Sequence, residues 1–256
     1  MWATEPHEGI TGVTFDSDGH RLIGTLYLAR GEEPKPTVLL LHGCPGLEKN
    51  LDLAARLRDR GWNAMAFHYR GCWGSAGRYD LRTIPRDVTA AVDYLAACPL
   101  VDTGRMAVVG HSLGGWAALV TAATEPRLRA VGVYGAAARL GEDLRLSPDQ
   151  LEQEFTRFLA TTPEEFTFQL ALVAEQMDGL AAVTAIRPRP LLMVHGTWDR
   201  WVPVARAREL AARAGSPARY IEVEGANHAF SWHRAELANV IAGWLGAVWM
   251  EMGVRA

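Results

Sequence analysis

From residue 37 to residue 249 the chain alternates short apolar runs with longer stretches of helical periodicity, an order that few folds accommodate. Thr37-Val38-Leu39-Leu40-Leu41 is a continuous run that stops at His42-Gly43, as a strand covered on both faces does. A helical stretch over 51–60 follows, and the pattern repeats with strand 63–69, helix 84–97, strand 105–109, helix 113–124 and strand 130–134. Later come strand 191–194, helix 204–214, strand 218–223 and helix 232–249. Crossovers between parallel strands are right-handed, so this alternation predicts a mostly parallel sheet with helices on both faces. Ahead of it, 12–16 and 22–28 read as strands around the turn sequence Ser17-Asp18-Gly19, a hairpin. The expectation is an α/β fold of eight strands.

The rhythm breaks once. Residues 139–186, about 48 positions, separate two strands by far more than the usual few-residue connection. Ser147-Pro148-Asp149-Gln150 has the form of a capping box with Pro at the first helical position, and Leu151, Phe155, Phe158 and Leu159 follow at helical spacing. Thr162-Pro163-Glu164-Glu165 repeats the device ahead of Phe166, Leu170 and Val173, and Asp178-Gly179 reads as a stop. Two or three helices are expected here, forming a cap inserted into one domain that spans 1–256. Neither a low-complexity linker nor an internal repeat divides the chain.

With 49% hydrophobic and 21% charged residues the chain can bury a substantial core, which excludes a disordered or disulfide-stapled class. A formal net charge of −3 gives no electrostatic reason to expect nucleic acid or an anionic membrane as partner. Cys44, Cys72 and Cys98 are odd in number and lack CxxC spacing, and no HExxH or clustered His/Cys pattern occurs, so neither a disulfide framework nor a metal is expected. No cofactor is implied. Residues 1–9 show no leader pattern and no stretch reaches the roughly 18 apolar residues of a membrane span, so the expected location is cytoplasmic.

Gly110-His111-Ser112-Leu113-Gly114 is a GxSxG motif placed where strand 105–109 turns into a helix, the context that makes the motif a nucleophile elbow. A serine hydroxyl needs a base, and the base needs an orienting group. His228 lies in Glu224-Gly225-Ala226-Asn227-His228-Ala229-Phe230, just after the last strand, and Asp199 in His195-Gly196-Thr197-Trp198-Asp199-Arg200-Trp201, just after the preceding one. Three loops after three parallel strands converge on one sheet edge, so Ser112, Asp199 and His228 are the candidate catalytic triad. Glu222, Glu224 and Asp178 read as structural or solvated, and His42, His111 and His195 as packing or hydrogen-bonding supports.

The tetrahedral intermediate of such chemistry needs N–H donors for its oxyanion. One candidate is the backbone N–H of Leu113, at the start of its helix. The other is that of Cys44 in His42-Gly43-Cys44-Pro45-Gly46, because Pro45 has no N–H to give. The Cys44 thiol is incidental to that role.

These pieces, together with Tyr69-Arg70-Gly71-Cys72-Trp73-Gly74-Ser75-Ala76-Gly77, resemble the α/β-hydrolase superfamily, in its esterase-like and serine-peptidase-like (dienelactone hydrolase-like) branches. The resemblance implies the α/β-hydrolase fold and a Ser112, Asp199, His228 triad with Cys44 and Leu113 as the oxyanion donors. Serine at 112 departs from the cysteine of dienelactone hydrolases proper and from the aspartate of dehalogenases and epoxide hydrolases. The loop 69–77 matches neither GxGxxG nor a P-loop and is given a structural role. The expected activity is hydrolysis of small to medium acyl or aryl esters, a small-molecule substrate walled by Phe155, Phe158, Phe166, Phe168, Trp198 and Trp201. The alternatives are an amide-cleaving peptidase, against which the lack of an obvious acidic cluster counts slightly, and a non-catalytic binding protein.

Overall fold

The computed structural model describes residues 8–143, 147–251 and 253; nearly all of the N-terminal pattern read over 1–9 lies outside them. β1 (Gly9–Ser17) and β2 (His20–Leu28) form the expected hairpin. Its turn is the two residues Asp18 and Gly19, at φ 50° and 79°, not the three read from the sequence. Two positive-φ residues match the right-handed twist of the flanking strands, so both strands run on to the turn.

Six further strands follow, β3 (Lys35–Leu41), β4 (Asn63–Phe67), β5 (Val101–His111), β6 (Leu128–Tyr134), β7 (Leu191–Gly196) and β8 (Ala218–Val223). They assemble in the order β1-β2-β4-β3-β5-β6-β7-β8, antiparallel as far as β4 and parallel beyond. The chain adopts the α/β-hydrolase architecture. Helices α1 (Leu51–Arg58), α2 (Ile84–Ala96) and α3 (Leu113–Thr124) alternate with the first parallel strands. Between β6 and β7 lie α4 (Leu140–Asp143), α5 (Pro148–Gln150), α6 (Pro163–Gln176) and α7 (Gly179–Ala182), and α8 (Val204–Ala214) and α9 (Arg234–Glu251) complete the set.

The period-2 geometry of strands divides the core in two. Leu39, Leu41, Met65 and Phe67 face a layer containing α2, α3 and Phe166 of α6, whereas Val38, Leu40, Ala64 and Ala66 face α1 and α9. Leu39 and Leu40 are fully buried on opposite faces, and truncating either to Ala costs about 2–5 kcal/mol. Among the described residues no helix is long and apolar enough to cross a membrane.

Both capping boxes of the β6–β7 connection are present, Ser147 with Gln150 and Thr162 with Glu165. One expectation there is corrected. Leu151 to Leu159 is not one α-helix: a π-helical turn (Leu151–Phe155) passes into a 3-10 turn (Thr156–Phe158), and Leu159 is extended. The backbone is tied elsewhere, with Ala160 N–H donating to Gly71 O (2.7 Å) and Tyr79 N–H to Ala160 O (3.1 Å). The stop expected at Asp178-Gly179 is where α6 ends, and Asp178 is also a start. α6 ends at Gln176 with Met177 (φ −137°) as its C-cap, and the Asp178 carboxylate accepts from Leu180 N–H at 2.8 Å as the N-cap of α7.

Candidate active site

Ser112 sits between β5 and α3 at φ 54°, ψ −119°, a conformation that costs a non-glycine residue about 1–3 kcal/mol. Its backbone is fastened on both sides, N–H donating to Tyr134 O (3.1 Å) and O accepting from Gly115 N–H (2.9 Å). The turn closes so tightly that a Cβ on Gly110 would stand 2.0 Å from Gly114 O, and one on Gly114 2.4 Å from Leu41 O. Local sequence thus dictates the elbow. Among the described residues the Ser112 hydroxyl makes no hydrogen bond, and it borders a cavity of about 450 Å³ together with His228 and Cys44.

Asp199 and His228 stand on the loops after β7 and β8. His228 Nδ1–H donates to Asp199 Oδ2 at 2.7 Å, while Asp199 Oδ1 accepts from the N–H groups of Trp201 and Val202, each at 2.9 Å. A neutral imidazole donating through Nδ1 carries its lone pair on Nε2. The structure therefore brings Asp199 into contact with His228, and His228 into the cavity of Ser112. The N–H groups of Cys44 and Leu113 donate to nothing among the described residues. Burial pushes the Cys44 thiol well above its ordinary range and that of Cys72 up to about 12, so both sulfurs are protonated at neutral pH.

Three further histidines brace these loops. His111 Nε2–H donates to His228 O at 3.0 Å, and its ring stacks on Tyr134 with centroids 4.6 Å apart. His195 Nε2–H donates to Val202 O at 2.8 Å, and His42 Nδ1–H to Gly43 O at 2.7 Å. Desolvation holds all three neutral, with His42 lowered to about 4 and His111 well below the ordinary imidazole range. Glu222 pairs with Arg208 at 2.7 Å.

Of the four phenylalanines expected to wall the cavity, Phe155 and Phe158 do so. Phe166 is fully buried against Tyr79 and Phe168 is exposed. Trp201 lines the cavity edge-on to Phe155, whereas Trp198 points to a neighbouring one. Sequence reasoning missed Trp73, whose Nε1–H donates to Pro45 O at 2.6 Å and whose ring stacks on Phe158 with centroids 5.9 Å apart. With Tyr69 donating to His42 O (3.1 Å), the 69–77 loop supports the strand-end loop that carries Cys44. Its three glycines 71, 74 and 77, all at positive φ, were the available signal of a tightly folded brace. Also missed were two acids, Glu48 and Glu154, which both border the cavity although they lie far apart in the sequence. Burial raises the Glu48 pKa, partly offset by Arg234 at 3.2 Å. Among the described residues no group of three His, Cys, Asp or Glu side chains has metal-ligating geometry.

The family model of the prolyl oligopeptidase family matches residues 52–248, a span that includes Ser112, Asp199 and His228. The chain belongs to the prolyl oligopeptidase family. Membership places it among the serine hydrolases of the α/β-hydrolase superfamily, as the sequence resemblance implied. Among relatives of this family member, the uncharacterized protein YfhR of Salmonella typhi is 27% identical over 234 residues, covering 88% of this chain and 77% of its own. Est1E of Butyrivibrio proteoclasticus, solved with ferulic acid bound, superposes with a TM-score of 0.75 at 19% identity, covering 92% of this chain and 98% of that one. A puromycin-hydrolyzing peptidase of Mycobacterium tuberculosis superposes with a TM-score of 0.73 at 19% identity, covering 93% of this chain and 40% of that one. At these identities the two structures speak for the fold.

Proposed function

We propose that this family member cleaves small to medium acyl or aryl esters through an acyl-enzyme on Ser112. The observation that carries the reading is the 2.7 Å contact of His228 with Asp199, made by a histidine that shares its cavity with a serine at an elbow. His228 Nε2 takes the hydroxyl proton as Ser112 Oγ attacks the acyl carbon, and Asp199 stabilises the imidazolium. Charge on the former carbonyl oxygen is met by the N–H groups of Cys44 and Leu113, at roughly 3 kcal/mol for each donor. The imidazolium then protonates the leaving alkoxide, and a water deprotonated by the same ring releases the acid and restores Ser112. Residues 139–186 serve as a cap on a single domain, with Phe155 and Phe158 as apolar walls. Such walls suit an aromatic acid of the kind Est1E binds. The setting is cytoplasmic.

A second reading, an amide-cleaving peptidase, is favoured by the family and by Glu48 and Glu154, which would attract the ammonium group of an aminoacyl substrate. Purified protein assayed on p-nitrophenyl esters and on aminoacyl p-nitroanilides separates the two. Faster ester turnover, abolished by Ser112→Ala with the fold intact, is expected. Retained hydrolysis in that variant sinks the Ser112 assignment, and anilides as the better substrates favour the second reading. A fluorophosphonate probe that leaves Ser112 unlabelled would point to a binding protein.

A further inference from the structure

A second cavity, of about 820 Å³, adjoins the first, and His228 and Trp201 line both. Its walls carry two indoles that the fold does not use. Trp232 is 93% exposed and Trp198 68% exposed, and neither ring has an aromatic or hydrogen-bonding partner among the described residues. An apolar patch of this kind left open beside a reactive centre marks a site of contact. Its rim is held in place by backbone: Trp198 N–H donates to Ala226 O (3.0 Å), Gly225 N–H to Thr197 Oγ1 (2.9 Å), and Ser231 N–H to Asn227 Oδ1 (2.9 Å). Arg200, exposed on the same wall, has no acidic partner among the described residues, and the carboxylate that borders this cavity, Asp199, is buried and taken up by His228 and two backbone N–H groups, whereas Glu48 and Glu154 border the first cavity.

From this asymmetry we infer that the second cavity is the leaving-group subsite, and that it takes a flat aromatic ring bearing an anionic substituent. The inference rests on the ester reading of Ser112. In that chemistry the group that departs is protonated by His228, and because His228 and Trp201 line both cavities its body has a path from the Ser112 cavity into the second one. Indole faces stack on a planar ring, and the Arg200 guanidinium complements a carboxylate or sulfonate on it.

The test compares butyrate esters of ethanol, benzyl alcohol and 4-(hydroxymethyl)benzoate, a series with one acyl group and leaving alcohols of similar basicity. Wild type is expected to prefer the benzyl over the ethyl ester in kcat/KM, and the carboxybenzyl over the benzyl. Trp232→Ala and Trp198→Ala should each shrink the benzyl-to-ethyl ratio about fivefold or more, and Arg200→Gln should abolish the carboxylate preference while leaving the benzyl-to-ethyl ratio in place. Equal loss on all three esters, or unchanged ratios, overturns the subsite. Binding of free 4-(hydroxymethyl)benzoate to the Ser112→Ala protein, followed by tryptophan fluorescence, reads the cavity without turnover. Binding weakened by Trp232→Ala supports the subsite even if Ser112 hydrolyses no ester, and absence of binding overturns it.

Discussion

His228 Nδ1 stands 2.7 Å from Asp199 Oδ2, and the other oxygen of that carboxylate is held by two backbone N–H groups of its own loop. The carboxylate therefore has one orientation in which every neighbour is a donor. An amide placed there must turn its NH₂ either toward the backbone donors or toward His228 Nδ1, and the second choice forces the imidazole into the tautomer whose Nε2 cannot accept a proton.

Asp199→Asn is accordingly expected to lower kcat for ester hydrolysis by roughly 10³–10⁴ with the fold kept. Steady-state kinetics alongside circular dichroism check this. A loss smaller than tenfold would remove Asp199 from the orienting role.

The elbow glycines differ in what a methyl group would strike. At Gly110 and Gly114 it meets backbone oxygens, 2.0 and 2.4 Å away, whereas at Gly115 it meets the Ala136 side chain at 2.6 Å. Backbone in a sheet and helix cannot step aside, so Gly110→Ala and Gly114→Ala should cost more than about 3 kcal/mol and Gly115→Ala less. Urea denaturation of the three variants tests that order, which a more stable Gly110→Ala protein would contradict.

Trp73→Phe keeps the ring against Phe158 and deletes the donor to Pro45 O. A stability loss of about 1 kcal/mol is expected. If the loop carrying Cys44 must be held for catalysis, kcat should fall severalfold with KM little changed. An unaltered kcat would show that the brace serves stability alone.

Burial lowers His42 from its ordinary value near 6.5 to about 4. Between those values the unfolded chain binds a proton that the folded one refuses, so stability is complete above about pH 6.5 and declines as the pH falls toward 4. His42 alone carries on the order of 3 kcal/mol of that decline. Thermal melts from pH 7 to pH 4 should show Tm falling with acidification, less steeply in His42→Asn, which retains a donor for Gly43. Parallel pH profiles for the two proteins would contradict the assignment.

Much of this architecture was legible in the residue order, because its causes are local. Buried parallel strands need unbroken apolar runs, and α3, α8 and β8 occupy the ranges their periodicity predicts. Capping boxes at Ser147 and Thr162 satisfy helix N–H groups within four residues. Ser112, Asp199 and His228 could be picked out because each follows a strand of a parallel sheet, whose C-terminal edge is one place in space.

Local pattern failed where distant backbone competed. Helical spacing from Leu151 to Leu159 gave way to an extended exit whose next residue, Ala160, hydrogen-bonds to Gly71 and Tyr79. Sequence alone thus determined the fold class and pointed to the elbow and the three candidate groups, since propensity, sterics and strand order act over a few residues. Only the tertiary structure decided that Glu48 and Glu154 share the Ser112 cavity, that Trp73 braces the loop before it, and that Trp198, Trp232 and Arg200 line a second cavity beyond His228. Those relationships depend on how loops from different strands pack over one sheet edge, a geometry that spacing along the chain does not encode.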